Sequence, residues 1–371
     1  MAEGMAVGMA MGMLAMLVRV GCLAIMAVLA ASSACGAEPY YKGKRLTLLI
    51  GSAVGGPTDV EGRLFAKYLA RHIEGQPNIL VQNKEGAGGV VGATYLGEVA
   101  PRDGSMLGYL SGTAWNFVSD PARWRVDLKS FEFVAFQSGT AIHFMRADTP
   151  PGIKGPADIV KAKGLVVGGL AVDNPRDIRL RLGLDMLGVP HRYVTGYRGT
   201  MQAMLALARS EIHMFSDSPP TFRSAVEPTL VKSGEVLPVW YDTTGEADSA
   251  HVAASLAGLA IPSFVALYSA VKGAPPSGPK WEAYRTIHHV NGTLQRLIAL
   301  PPGAPAEAAV ALRDGIARLN QDKDFAAESI RTIAFAPDYE TGSDIAARVR
   351  ALLAASPEVR AFVADYIKAG N

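Results

Sequence analysis

The chain has 371 residues, 49% hydrophobic and 19% charged, with 36 Lys and Arg against 34 Asp and Glu. At roughly 100–200 residues per domain the length implies two domains, and so apolar a composition excludes disorder as the overall state. A net charge of +2 without any Lys/Arg-rich run argues against nucleic acid as a partner. Two cysteines, Cys22 and Cys35, exclude a disulfide scaffold, an iron–sulfur protein and a Cys-based zinc site.

Residues 1–37 read as a signal peptide. Arg19 precedes the apolar run Val20 to Ala31, and small residues follow at Ser32-Ser33-Ala34-Cys35-Gly36-Ala37. The run is short for a bilayer span, which needs about 20 apolar residues. A start at Met13 or Met16 fits better, because residues 1–12 carry no positive charge. Cleavage is expected after Ala34 or Ala37. The alternative is a lipid anchor on Cys35, although Ser32-Ser33-Ala34 lacks the Leu usual three residues before such a Cys. Either way the body of the protein is expected in the periplasm.

Beyond the leader, short apolar runs bounded by Gly alternate with amphipathic stretches. Leu46 to Ile50 predicts a buried strand and Asp59 to Ile73 a helix. Asn78 to Gln82 is a second strand, Val90 to Ala100 a second helix and Met106 to Leu110 a third strand. Phe131 to Phe136 and Leu165 to Val167 continue the alternation. Met201 to Ser210 is a helix, and Glu307 to Asn320 with Ile345 to Ala354 make a helical C-terminal region. This rhythm predicts an α/β protein with mostly parallel sheets flanked by helices.

The chemistry falls in two turns. Gly51-Ser52-Ala53-Val54-Gly55-Gly56-Pro57-Thr58-Asp59 follows the first strand, and Asn83-Lys84-Glu85-Gly86-Ala87-Gly88-Gly89 follows the second. Glycines permit tight turns with positive φ, and a helix start capped by Thr58 or Asp59 presents N–H groups to an anion. A dinucleotide turn needs G-x-G-x-x-G, but the second glycine position is Ala53; a P-loop needs G-K-[ST], which is missing. Two such helix starts side by side at the carboxyl edge of a sheet suit an anion smaller than a nucleotide.

These strings carry a resemblance. Gly55-Gly56-Pro57-Thr58-Asp59 with Arg63, Val81 to Gly89, and Pro101-Arg102-Asp103-Gly104 resemble, in order, the motifs of the Bug family, the extracytoplasmic solute receptors of tripartite tricarboxylate transporters. Gly196-Tyr197-Arg198-Gly199 is similar to its Pro-Tyr-Lys-Gly, and Leu300 to Pro305 to its turn before a C-terminal helix. The resemblance implies a two-lobed periplasmic binding protein, a type II-like clamshell, with 38–140 and 242–371 in lobe 1 and 141–241 in lobe 2. It implies hinge crossings near Ser138–Ala141 and Val239–Thr243. It also implies a non-enzymatic receptor, a monomer without cofactor or metal, that captures a small organic carboxylate for membrane permease subunits. A secreted α/β enzyme acting on a carboxylated molecule is the alternative, for which no nucleophile can be nominated.

Carried over residue by residue, the resemblance points to Ala53, Gly55, Gly56 and Thr58 in the first turn, and to Gly86, Ala87 and Gly88 in the second. In lobe 2 it points to Gly169 and to Asn174, where an N-cap with Pro175 at N1 makes a proper helix start. Thr113 and the strand-end Asp217 complete the candidate ligand-binding set. Trp115 and Phe117 read as core or cleft mouth, Asp59 with Arg63 as a helix pair, and Arg176, Arg179 and Arg181 as a solvated helix face. Adjacent His288 and His289 point apart on a helix and suggest no metal.

Overall fold

The computed structural model describes residues 38–197, 200–244 and 250–370. The leader with its cleavage site and Cys35, and the Arg198-Gly199 half of one motif, lie outside them. In chain order the elements are β1 (Arg45–Ile50), α1 (Pro57–His72), β2 (Asn78–Asn83), α2 (Val90–Glu98), β3 (Met106–Ser111), α3 (Thr113–Ser119) and β4 (Glu132–Gln137). There follow β5 (Ile142–Arg146), β6 (Leu165–Gly169), α4 (Pro175–Leu187), β7 (His191–Thr195), α5 (Thr200–Ala208), β8 (Met214–Asp217) and β9 (Val236–Tyr241). The last part comprises α6 (Ala250–Leu256), α7 (Phe264–Lys272), α8 (Pro279–Ile287), β10 (Arg296–Leu300), α9 (Ala306–Leu319), α10 (Lys323–Ile333), β11 (Glu340–Thr341), α11 (Ile345–Leu352) and α12 (Pro357–Ala369).

The strands form two sheets, ordered β11-β4-β10-β3-β1-β2 and β7-β6-β8-β5-β9. Both sheets are mixed, where the sequence predicts mostly parallel ones. β2, β1 and β3 run parallel, as do β7, β6 and β8, but β10 lies antiparallel between β3 and β4, and β5 antiparallel between β8 and β9. The reason is long-range. Local βαβ rhythm registers neighbours in sequence, whereas β10 returns from far downstream and β5 enters directly from the first sheet.

Strand period 2 sends alternate side chains to opposite faces. Leu46, Leu48 and Ile50 of β1 accordingly join one core, with Phe65 and Leu69 of α1, while Leu49 joins another with Ala93 and Leu96 of α2. In the second sheet Ile142, Phe144 and Phe215 pack with Ala203 and Leu207 of α5. The first Gly-rich turn therefore sits at the end of the largely buried β1, and the second at the end of the neighbouring edge strand β2.

Residues 138–141 carry the chain from β4 of the first sheet to β5 of the second. The chain does not return to the first sheet directly after β9. Ser263 still bridges Tyr241 at the end of β9, and α7 and α8 pack against α4. The chain re-enters the first sheet just before Arg296, where the Gly139 N–H donates to the Gly292 carbonyl at 2.9 Å. α12 packs on both α8 and α3. Among the described residues, no helix is long and apolar enough to cross a membrane.

Candidate functional site

The first turn is built around a carboxylate. Pro57 starts α1 at N1 after an extended Gly56, and Asp59 in the first helical turn reaches back to accept the Gly55 N–H at 2.8 Å. Gly55 has φ +78, a conformation glycine adopts without a Cβ penalty. The other oxygen of Asp59 takes Asn83 Nδ2 at 2.8 Å, and Asn83 also donates to the Ser52 carbonyl at 3.0 Å. Arg63 spans Asp59 (2.9 Å) and Asn83 (3.0 Å). Burial works to raise the Asp59 carboxyl, but the Arg63 guanidinium and the N–H groups of Gly55 and Asn83 outweigh it and hold the group below its ordinary value. The Asp59–Arg63 pair is thus a strut between the turn and the end of β2.

The Gly55 N–H is spent on Asp59, and the Gly56 N–H on the Ala53 carbonyl at 3.3 Å. These two glycines shape the turn; they do not supply its donors. The donors left over are the N–H groups of Thr58 and Asp59, which have no partner four residues back in a helix starting at Pro57, and the Thr58 hydroxyl. N-capping by Thr58 or Asp59 is likewise replaced by Gly56 at the cap.

In the second turn Gly86, Ala87, Gly88 and Gly89 all have positive φ. Space enforces two of the glycines: a Cβ on Gly88 would lie 2.6 Å from Asn116 Nδ2, and one on Gly89 would lie 2.6 Å from the Ser111 carbonyl. Asn116 pins the turn to α3, donating to the Gly88 carbonyl at 2.8 Å and the Gly112 carbonyl at 3.0 Å.

Both turns open on one cavity of about 560 Å³ that also receives the start of α4 from the second lobe. Of the sequence candidates, Ala53, Thr58, Gly86, Gly88 and Asn174 line it, with Trp115 and Asn116 behind. Gly56 and Ala87 lie within the turns' backbone, and Gly55 faces a neighbouring cavity. Glu85 and Asp173 stand exposed at the rim, where solvent screens them.

Three candidates are placed elsewhere. Thr113 is buried at the start of α3, its methyl beneath Gly89. Gly169 makes room for a neighbour: a Cβ there would lie 2.1 Å from the Tyr193 hydroxyl, which is tied to Ala171 O and Asp177 Oδ2, both at 3.0 Å. Asp217 accepts Arg176 Nη1 at 3.1 Å and the Ser218 N–H at 2.7 Å, an ion pair within the second lobe. Asn174 does cap α4, accepting the N–H groups of Arg176 (3.0 Å) and Asp177 (3.4 Å), so this helix start offers its donors to its own cap.

Arg179 is 2% exposed and Arg181 is fully buried, contrary to a solvated face. Arg179 Nε donates to Asp242 Oδ2 at 2.6 Å and its Nη1 to Asn291 Oδ1 at 2.9 Å. His143 Nε2 meets Asp242 Oδ1 at 2.7 Å, Tyr284 donates to the same oxygen, and Thr140 Oγ1 donates to the Asp242 carbonyl at 2.7 Å. Against the cost of burial, His143 and Arg179 hold the Asp242 carboxyl far below its ordinary value. The signal was present: Ile178, Leu180, Leu182 and Leu184 cover more than one face of α4, and a helix apolar on most sides is buried.

Two smaller cavities continue from the first past this cluster, sharing Asn174, Pro175 and Asn291, then Thr140, Ser218 and Gln295. The guanidinium groups along them are committed: Arg176 to Asp217, Arg179 to Asp242, and Arg296 to Glu61 at 2.6 Å. An anion in the first cavity therefore meets main-chain dipoles at two helix starts in place of an unpaired cation. Among the described residues no group of three or more His, Cys, Asp or Glu is arranged to hold a metal ion.

No protein-family profile matches the chain. A UPF0065 protein from the TAR-I ttuE–ttuC' intergenic region of Agrobacterium vitis is 27% identical over 206 residues, 54% of this chain and 57% of that protein. The match thus spans a little over half the length of this curated relative. By structure, a TctC solute-binding protein from Polaromonas superposes with TM-score 0.61 at 18% identity, over 88% of this chain and 98% of that one. The periplasmic binding protein BugD gives 0.52 at 20% identity, over 88% and 97%. MatC of Rhodopseudomonas palustris, solved with bound malate, gives 0.52 at 20% identity, over 87% and 98%. These likenesses show the two-lobed periplasmic-binding-protein fold and bear out the resemblance to the Bug family.

Proposed function

We propose that the chain is an exported, periplasmic solute receptor that captures a small organic carboxylate between its lobes and presents it, as a monomer, to the membrane permease of a tripartite tricarboxylate-type transporter. The observation that carries this reading is the 560 Å³ cavity in which the two glycine-rich turns of one lobe face the Asn174–Pro175 start of α4 in the other. Its donors are the backbone N–H groups and the Thr58 hydroxyl at the start of α1, fixed in place before the ligand arrives, so little ordering is left to pay on binding. Closure would expel water and strengthen those bonds. The malate bound in MatC, a protein of the same fold, supports a carboxylate as cargo.

On this reading the chain binds and releases its ligand and is not an enzyme. Its lobes divide at residues 140 and 141 on the outward crossing. On the way back we place the division at the stretch before Arg296, in place of residues 241 and 242, because α7 and α8 pack on the second lobe. A thermal-shift screen of di- and tricarboxylates, aromatic acids and amino acids tests the proposal. Stabilisation by one class of carboxylate supports it, and indifference to all of them contradicts it.

A further inference from the structure

The third cavity, about 370 Å³, lies on the opposite side of the α1 start from the carboxylate cradle. The first turn of α1, a cylinder about 10 Å across, stands between them: Thr58 faces the cradle, while Pro57 and Val60 face this chamber. Its remaining apolar walls come from both lobes, Pro219 and Pro220 after β8, and Ile333 and Phe335 at the end of α10. The charges it contains cancel. Oε2 of Glu61, a residue only 2% exposed, accepts both Nε (2.9 Å) and Nη2 (2.6 Å) of Arg296.

We infer that this chamber houses the uncharged, largely apolar body of the ligand, so that the cargo is a monocarboxylate carrying a ring or hydrocarbon chain, not a short dicarboxylate. This rests on the receptor reading above and narrows its substrate class. A second carboxylate here would stand beside Glu61 or take Arg296 from it, leaving a buried charge uncompensated, which is strongly unfavourable. Apolar walls closing from two lobes reward apolar surface instead. One neutral polar substituent is provided for: the Gln295 amide, which makes no hydrogen bond to the described residues, lies against Gly139 at the mouth, where a Cβ would come within 2.5 Å of it. The middle cavity joins chamber to cradle through Thr140, Ser218 and Gln295, so one molecule can reach both.

Calorimetry with butyrate, adipate and 4-phenylbutyrate on the purified protein tests the inference. The expected result is 4-phenylbutyrate bound at least tenfold more tightly than either of the others, with Ile333→Trp, which fills the chamber, cutting the phenylbutyrate-to-butyrate ratio below threefold. Adipate binding as tightly as 4-phenylbutyrate, or a ratio that survives Ile333→Trp, overturns the chamber assignment and leaves the receptor reading standing. Binding of no carboxylate at all, in these titrations or in the wider screen, overturns both. The wild-type comparison alone decides the matter if the variant does not fold.

Discussion

Arg179 donates from Nε to Oδ2 of Asp242 at 2.6 Å, with the two side chains 2% and 0% exposed. This pair ties α4 to the segment leaving β9, beside the crossing that joins the lobes. Removing Arg179 leaves Asp242 with His143 and Tyr284 but without its guanidinium partner. Breaking a buried pair from one side costs about 3–5 kcal/mol. Arg179→Ala is therefore expected to lower the urea midpoint severely, and a midpoint within error of wild type would show that the pair is not structural.

His288, buried near the same cluster, gives a pH signature. Burial first and the Arg179 guanidinium second push its imidazole from 6.5 down to about 3. The unfolded chain binds that proton at ordinary pH values and the folded chain does not, so stability falls as pH drops through the window between those two values. Asp242, also held below its ordinary value, contributes stability that is lost only as pH falls below the ordinary carboxylate range. Thermal midpoints from pH 7 to pH 4.5 are expected to decline, and His288→Gln to flatten that decline; an equal slope in the variant would remove His288 from the explanation.

Gly169 offers a test of structural against ligand-contact roles. A methyl there collides with the tethered Tyr193 ring, and overpacking of this kind costs about 1–3 kcal/mol. Gly169→Ala is expected to lower stability in a denaturant titration while the folded fraction binds carboxylate as wild type does. Unchanged stability with lost binding would return Gly169 to the ligand site.

On the division proposed above, the lobes are joined at 138–141 and at the stretch before Arg296, and hinging there should close the cleft. Saturating ligand is expected to reduce the radius of gyration in small-angle scattering. An identical profile with and without ligand would count against a clamshell.

Much of this was legible in the chain itself. β1 and β3 are apolar runs followed directly by glycine, and the Asn174–Pro175 helix start follows from local rules of capping. What stayed hidden depends on partners distant in sequence. Nothing near Gly55 says that its N–H is claimed by Asp59, since the same G-G-P-T-D string would serve if the carboxylate turned outward. Gly169 looks like a ligand turn until Tyr193 is seen to need its space. The burial of Arg179 follows from the apolar Ile178, Leu180 and Leu182 around it, against the exposure that its charge alone suggests. The antiparallel insertion of β10 is a long-range pairing that no local pattern announces.

The carboxylate cradle stands or falls with Thr58, whose hydroxyl and N–H are among the uncommitted donors facing the first cavity. A hydrogen bond to a charged group is worth about 1.5–3 kcal/mol, or roughly ten- to hundredfold in affinity. Isothermal calorimetry of wild type and Thr58→Ala with the tightest carboxylate from the screen measures this directly. A ten- to hundredfold loss with an unchanged thermal midpoint is the expected result; wild-type affinity in Thr58→Ala would mean that the carboxylate is held elsewhere in the cleft.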